Sequence, residues 1–152
     1  GIEDFTFRTQ EDLPGQIKTA IQNFRMSGTI IAAISLIVGG IGIMNIMLAS
    51  ISERVREIGI RKAVGASTGA IFFQILIESV VIAIVGGLAG LAFSWGVVQV
   101  IGAFTPTDNA PVITAGALLV AFSFSVLVGI LAGLYPAVRA SRLHPIQALR
   151  YE

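Results

Sequence analysis

The sequence predicts an all-α membrane protein of three transmembrane helices, on three observations. Apolar residues make up 55% of the 152 and charged residues 12%, about half the charged share of a soluble domain. The mean hydropathy is +0.86. Three apolar stretches each reach the roughly 20 residues that cross a hydrocarbon core about 30 Å thick. A soluble fold of this length needs more polar surface than these residues supply.

The first apolar stretch runs from Gly28 to Ile51, and an amphipathic face before it makes the expected helix longer. Ile17, Ala20, Ile21, Phe24 and Gly28 follow the i, i+3, i+4, i+7 spacing of one helical face, and no breaker separates them from the span. The first helix is therefore expected over 13–51, with its start extended outward as a stalk. Asp12 can cap it, and Pro14 is tolerated in a first turn. Before it, Phe5 and Phe7 alternate with Thr6 and Arg8, a weak strand signal that makes 1–12 the expected end of an extracytoplasmic domain. The chain begins at Gly1 with no basic, signal-like leader and reads as a piece of a longer protein.

The remaining segments follow as a coupling segment over 52–69, a second span over 70–104, an outer loop over 105–114, a third span over 115–138 and a tail over 139–152. Lysines and arginines orient them. Arg54, Arg56, Arg61 and Lys62 lie between the first two spans, and Arg139, Arg142 and Arg150 follow the third. The other side carries Arg8, Lys18 and Arg25, and none falls in 105–114. This asymmetry places the N-terminus outside and the C-terminus in the cytoplasm. Tyr135 then sits at the inner end of the third span, where an aromatic belt is expected. Pro136 is expected to kink or end that span, and Pro145 after His144 can open a short helix whose Ile146 and Leu149 face the bilayer or a partner.

The stretch from Ser50 to Ser67 carries most of the information. Ser50 and Glu53 match a capping box. Ile51, Val55 and Ile58 form one stripe, while Glu53, Arg54, Arg56, Glu57 and Arg61 cover the rest, with Glu57 and Arg61 in the favourable i,i+4 order. A basic amphipathic helix lying on anionic headgroups would have this periodicity too. The mixed acidic residues, and Gly59 and Gly65 as interruptions, favour a structured surface that docks a cytosolic protein.

Inside the spans, Glu78 is the one well-immersed ionisable residue. Such residues are functional candidates because a charge at mid-bilayer costs at least about 2.5 kcal/mol. Its position some two turns into the span favours snorkelling or a neutral, hydrogen-bonded carboxyl. Asn45 reads as interhelical glue. Ser35 and Gly39, Gly86 and Gly90, and Gly129 and Gly133 repeat small residues at four-residue spacing, which suits packing among the three spans or a dimer seam. No phosphate-binding loop, catalytic triad or HExxH is present, and the lone His144 has no companions for a metal site. No enzyme activity, bound cofactor or nucleic-acid partner is expected of this segment.

Gly39 to Leu48 (GGIGIMNIML) followed by Ser52 to Ala66 (SERVREIGIRKAVGA) closely resembles the permease of MacB-type ABC transporters, in the wider FtsX-like family. The tail from Tyr135 to Ala137 and from Ala140 to Arg150 is similar to the family's C-terminal pattern. Lys62 and Val64 are modest departures. The resemblance covers most of the chain from about residue 12. It implies the last three of four spans, a dimer of two permease copies, and an ATPase domain or subunit that uses ATP and contacts Glu53, Arg54, Arg56, Glu57, Gly59, Arg61, Lys62 and Gly65. It further implies mechanotransmission through the first span to an external domain in the bacterial inner membrane, and envelope partners such as a membrane-fusion protein and an outer-membrane channel. Gly42 to Met47 looks like the macrolide or peptide exporters. A lipoprotein-release or cell-division permease, or a peptide-sensing signalling module, stays open as an alternative.

Overall fold

A computed structural model describes the backbone over residues 2–150, apart from 107 and 109, and the side chains from residue 13 onward. Helices follow in the order α1 (Ile2–Glu53), α2 (Val55–Ala63), α3 (Thr68–Phe104), α4 (Ala115–Ser141) and α5 (Pro145–Leu149), with no strand among the described residues. Leu13–Glu53, Thr68–Phe104 and Ala115–Ser141 are each long and apolar enough to cross a membrane.

By contacts the chain divides into two units, Gly1–Ile37 and Val38–Glu152. The first is the N-terminal part of α1. The strand expected around Phe5 and Phe7 is helix, and Asp12 does not start the helix, because α1 begins at Ile2 and carries Pro14 inside it. A lone strand would leave its backbone groups without a ladder, whereas a helix satisfies them within itself; Pro14 removes only one donor. The side chains of 1–12, including any cap by Asp12, lie outside the described residues. Along the rest of this unit, polar hydroxyls fold back onto the helix: Thr19, Ser27, Thr29 and Ser35 each donate to the carbonyl four residues earlier, at 2.8–2.9 Å. That satisfies the donors inside an apolar helix without a second chain. Ile17, Ile21 and Phe24, on the predicted stalk face, are exposed.

The second unit is built on a close pairing of α3 and α4. A side chain at Gly129 would meet the Ala83 Cβ, and one at Gly133 would meet the Ser79 hydroxyl. Two small residues therefore bring the helix backbones together, and dispersion between them replaces the hydrophobic drive that lipid cannot supply. Ser79 is fully buried and donates to the Leu76 carbonyl at 2.7 Å, while Ser125 donates across the seam to the Ala83 carbonyl at 3.2 Å. The other predicted packing glycines behave differently. Gly39, Gly86 and Gly90 face open space, and their neighbours make the approaches instead: Gly40 lies against Val128 and Gly87 against Ser125. In each glycine pair, only one of two adjacent positions can point into a seam, since successive residues are about 100° apart around a helix.

A buried cluster lies where the helices converge near α2. It joins Met47 and Ile51 of α1, Ile58 of α2, Ile71 and Ile75 of α3, and Ala137 and Ala140 of α4. Pro136 is buried but neither ends nor interrupts α4, which continues to Ser141. One lost backbone bond is outweighed where both neighbouring turns are packed.

The seam geometry yields a prediction. Gly133→Leu should lower the stability of the permease by about 1–3 kcal/mol, as overpacking does, whereas Gly86→Ala should leave the α3/α4 pairing intact. Thermal unfolding in detergent, together with cysteine cross-linking between α3 and α4, reads both outcomes.

Candidate functional site

The candidate site is the segment that joins α1 to α3. Its backbone dictates much of its shape. α1 does not stop at a capping box: Ser50 stays within the helix, and Ser52 donates to the Leu48 carbonyl at 2.9 Å. The turn comes later, at Arg54, whose φ of −106° and ψ of 12° are not helical. The Arg54 N–H is shared by the carbonyls of Ser50 and Ile51, each at 3.1 Å, and its own carbonyl accepts from Ile58 at 3.0 Å. The chain thus bends between α1 and α2 with little loss of hydrogen bonding. An apolar stripe drives the bend, because Ile51 and Ile58 must reach the same buried cluster.

The far end of α2 closes in a Schellman motif. Ala66 N–H donates to the Arg61 carbonyl at 3.0 Å and Gly65 N–H to the Lys62 carbonyl at 3.1 Å. Gly65 has φ +113°, a backbone region that side chains disfavour. Of the two glycines expected to interrupt the helix, only Gly65 does. Gly59 lies inside α2, buried, and any side chain there would collide with the Ala148 Cβ of α5. Its smallness sets the distance between two helices instead of breaking one.

Five side chains then close a ring across α2 and α3. Arg54 Nε donates to Glu57 at 3.4 Å, and Arg61 Nη2 donates to the other Glu57 oxygen at 2.7 Å. Arg61 Nη1 donates to Gln74 Oε1 at 2.7 Å, and Gln74 Nε2 donates to Glu78 Oε1 at 3.4 Å. Arg54 Nη1 completes the circuit on both Glu78 oxygens, at 3.2 and 3.3 Å. The hydrogen bonds of Glu57 and then Glu78 hold the Arg54 guanidinium above its usual basicity. Glu78 is one half of an ion pair with Arg54, a partner that the sequence reading did not name. Gln74 escaped the sequence reading, although its place four residues before Glu78 on α3 was a usable signal.

Lys62 leaves this ring and points the other way. Its ammonium donates to the carbonyls of Ser141 and, at 2.8 Å, Leu143, just past the end of α4. Burial pushes it below the usual lysine value. The remaining face of α2 is free. Arg56, Ile60 and Val64 follow one another at helical spacing and are exposed, Val64 by 83%, and Glu53, the last residue of α1, is exposed before the bend. Arg56 meets no acidic side chain among the described residues. The predicted set thus separates by role: Arg54, Glu57 and Arg61 bind α2 to α3, Lys62 binds it to α4, Gly59 and Gly65 shape it, and Glu53 and Arg56 face outward. Ile60 and Val64, apolar and outward, were not singled out from sequence because their stripe is the one opposite the core. Asn45 is exposed on α1 and makes no side-chain hydrogen bond to another helix among the described residues.

Comparison with known proteins gives the family. The FtsX-like permease C-terminal family profile matches residues 29–145. The chain belongs to the FtsX-like permease family. It is 47% identical to the macrolide export ATP-binding/permease protein MacB of Bdellovibrio bacteriovorus, over 97% of this chain and 22% of that protein. It is 50% identical to the ABC transporter permease YknZ of Bacillus subtilis, over 80% of this chain and 30% of that protein. A MacB of Agrobacterium fabrum is 42% identical over 98% of this chain and 23% of its own length. This FtsX-like permease segment therefore corresponds to the C-terminal membrane part of a MacB-type ABC permease and spans less than a third of each of these relatives. It is multi-pass, and the ring and the Schellman turn fall within the matched region, whereas the Gly59 contact reaches Ala148, just beyond it.

Two substitutions test the ring and the turn. Glu78→Gln and Arg54→Gln, alone and together, should give a coupling energy of about 0.5–1 kcal/mol, the range of partly exposed pairs, in a double-mutant cycle of thermal unfolding. Gly65→Ala should cost roughly 1–2 kcal/mol, from the left-handed backbone it would have to adopt.

Proposed function

We propose that this chain is the transmembrane portion of an efflux permease, of the macrolide or peptide exporter kind, that relays ATPase-driven motion to an extracytoplasmic domain. The observation that carries the reading is the two-sidedness of α2. One side is tied to α3 by the Arg54–Glu57–Arg61–Gln74–Glu78 ring and to α4 by Lys62. The other presents Arg56, Ile60 and Val64, an apolar patch with a charge beside it. A partner pressing on that face would move α2 as a rigid piece, and the bend at Arg54 would pass the displacement into α1. Mechanotransmission of this kind needs no polar route between the spans, which matches their apolar composition.

In this reading the α2 end faces the cytoplasm of a bacterium and the start of α1 lies outside the inner membrane, as the arginine and lysine asymmetry supports. The docking partner is an ABC ATPase, fused or separate; the MacB relatives carry "ATP-binding" in their names. ATP is used there, and the present segment acts without a cofactor or catalysis of its own. A second permease copy covers the exposed apolar face of α1, including Ile17, Ile21 and Phe24. A membrane-fusion protein and an outer-membrane channel continue the path through the envelope.

Arg56→Glu and Val64→Asp in the full-length permease should leave expression and membrane insertion unchanged, because both side chains are exposed. Each should reduce macrolide efflux by about tenfold or more, as expected when a desolvated docking contact is lost, while basal ATP hydrolysis persists. Efflux at the unaltered rate would remove α2 as the docking surface.

A further inference from the structure

A second recess at the same end of the bundle is distinct from the face proposed for the ATPase. It is a cleft of about 520 Å³ bounded by Lys62 and Ala66 on the α2 side, Thr68 at the start of α3, and Ser141, Arg142 and His144 after α4. No acidic side chain lines it. Lys62 has three donors, two of them committed to the carbonyls of Ser141 and Leu143. The Arg142 and His144 side chains are exposed and make no hydrogen bond among the described residues, so their donors are free. The N-terminus of α3 adds partial positive charge at Thr68. Two cationic side chains, an imidazole and a hydroxyl thus converge on a recess with no acidic side chain in its lining. An unbalanced cluster of this kind is stable where an external anion completes it.

The position of the cleft indicates which anion. Thr68 is the first residue of α3 and Ser141 the last of α4, so the recess lies at the ends of two helices long and apolar enough to cross a membrane. Basic recesses at the ends of spans are suited to phosphate headgroups. We propose that this cleft binds a phosphate-bearing anion, supplied by the headgroup of an anionic phospholipid, with Arg142 and His144 as its mobile contacts and Lys62 as its fixed one. Because Lys62 also ties α2 to the end of α4, an occupied cleft would brace the segment against the membrane surface.

The test uses the full-length permease in detergent, titrated with phosphatidylglycerol, with phosphatidylcholine, or with inorganic phosphate, and followed by thermal shift and native mass spectrometry. Phosphatidylglycerol should bind saturably and raise the melting temperature, and phosphatidylcholine should not. The double substitution R142Q/H144Q should weaken that binding by roughly tenfold, as loss of cationic contacts near a headgroup predicts, and R150Q, which removes an arginine outside the cleft, should not. R142Q alone serves as a milder variant should the double one unfold. Saturable binding of inorganic phosphate that is lost in R142Q/H144Q, with no preference for phosphatidylglycerol, would keep the anion site and overturn its lipid source. Equal weakening by R150Q, or no saturable binding of either anion, would overturn the site. A loss of efflux in Arg56→Glu leaves these titrations untouched, so the two readings fail separately.

Discussion

The geometry of the inter-span segment depends on where the Arg54 guanidinium goes. Arg54 sits at the bend between α1 and α2, and its two faces are taken by Glu57 on α2 and Glu78 on α3. That placement does two jobs at once. It gives the carboxylate near the end of a membrane helix a partner, avoiding the cost of an unpaired charge next to lipid. It also fixes the angle at which α2 leaves α1, because Glu57 is held in turn by Arg61 and so by Gln74. The ring is partly exposed, so each pair is weak by itself. Its effect is geometric: five side chains from three positions of the chain can close only when α2 lies in one orientation.

The second organising constraint is smallness. Gly129 and Gly133 let α4 approach Ser79 and Ala83, and Gly59 lets α5 approach α2 through Ala148. Each is a place where a single methyl group would force helices apart. Between them, these contacts make a rigid frame from α3 and α4 and seat the coupling segment on it. The outer face of α2 and the cleft beside Lys62 are then left open on either side of it. Two surfaces of different character, one apolar with a charge and one carrying basic side chains without an acidic one, border one nine-residue helix.

How much of this could be read from the residues depends on the range of the interaction. Local rules were sufficient for the three membrane helices and for Gly65 as a helix stop. The same rules failed at Ser50 and Glu53, which lie in the last turn of α1 and cap no helix start, and at Phe5 and Phe7, where two alternating residues are too few to outweigh helical backbone bonding. Gly59 illustrates the intermediate case. Its sequence context shows that a small residue is present, but only Ala148, far along the chain, explains why.

Taken alone, the sequence determined the class of the protein, the number of spans, the charged character of the segment between the first two and the resemblance that led to its family. Those properties depend on composition and on spacing within one helix, which a linear chain displays directly. The tertiary structure decided the partners: Glu78 to Arg54, Lys62 to the carbonyls after α4, Gly59 to Ala148, and the choice of Gly40 and Gly87 over their neighbours for close approach. Those outcomes depend on the rotation of one helix against another, where a shift of one residue turns a side chain by about 100°, and no local pattern carries that angle.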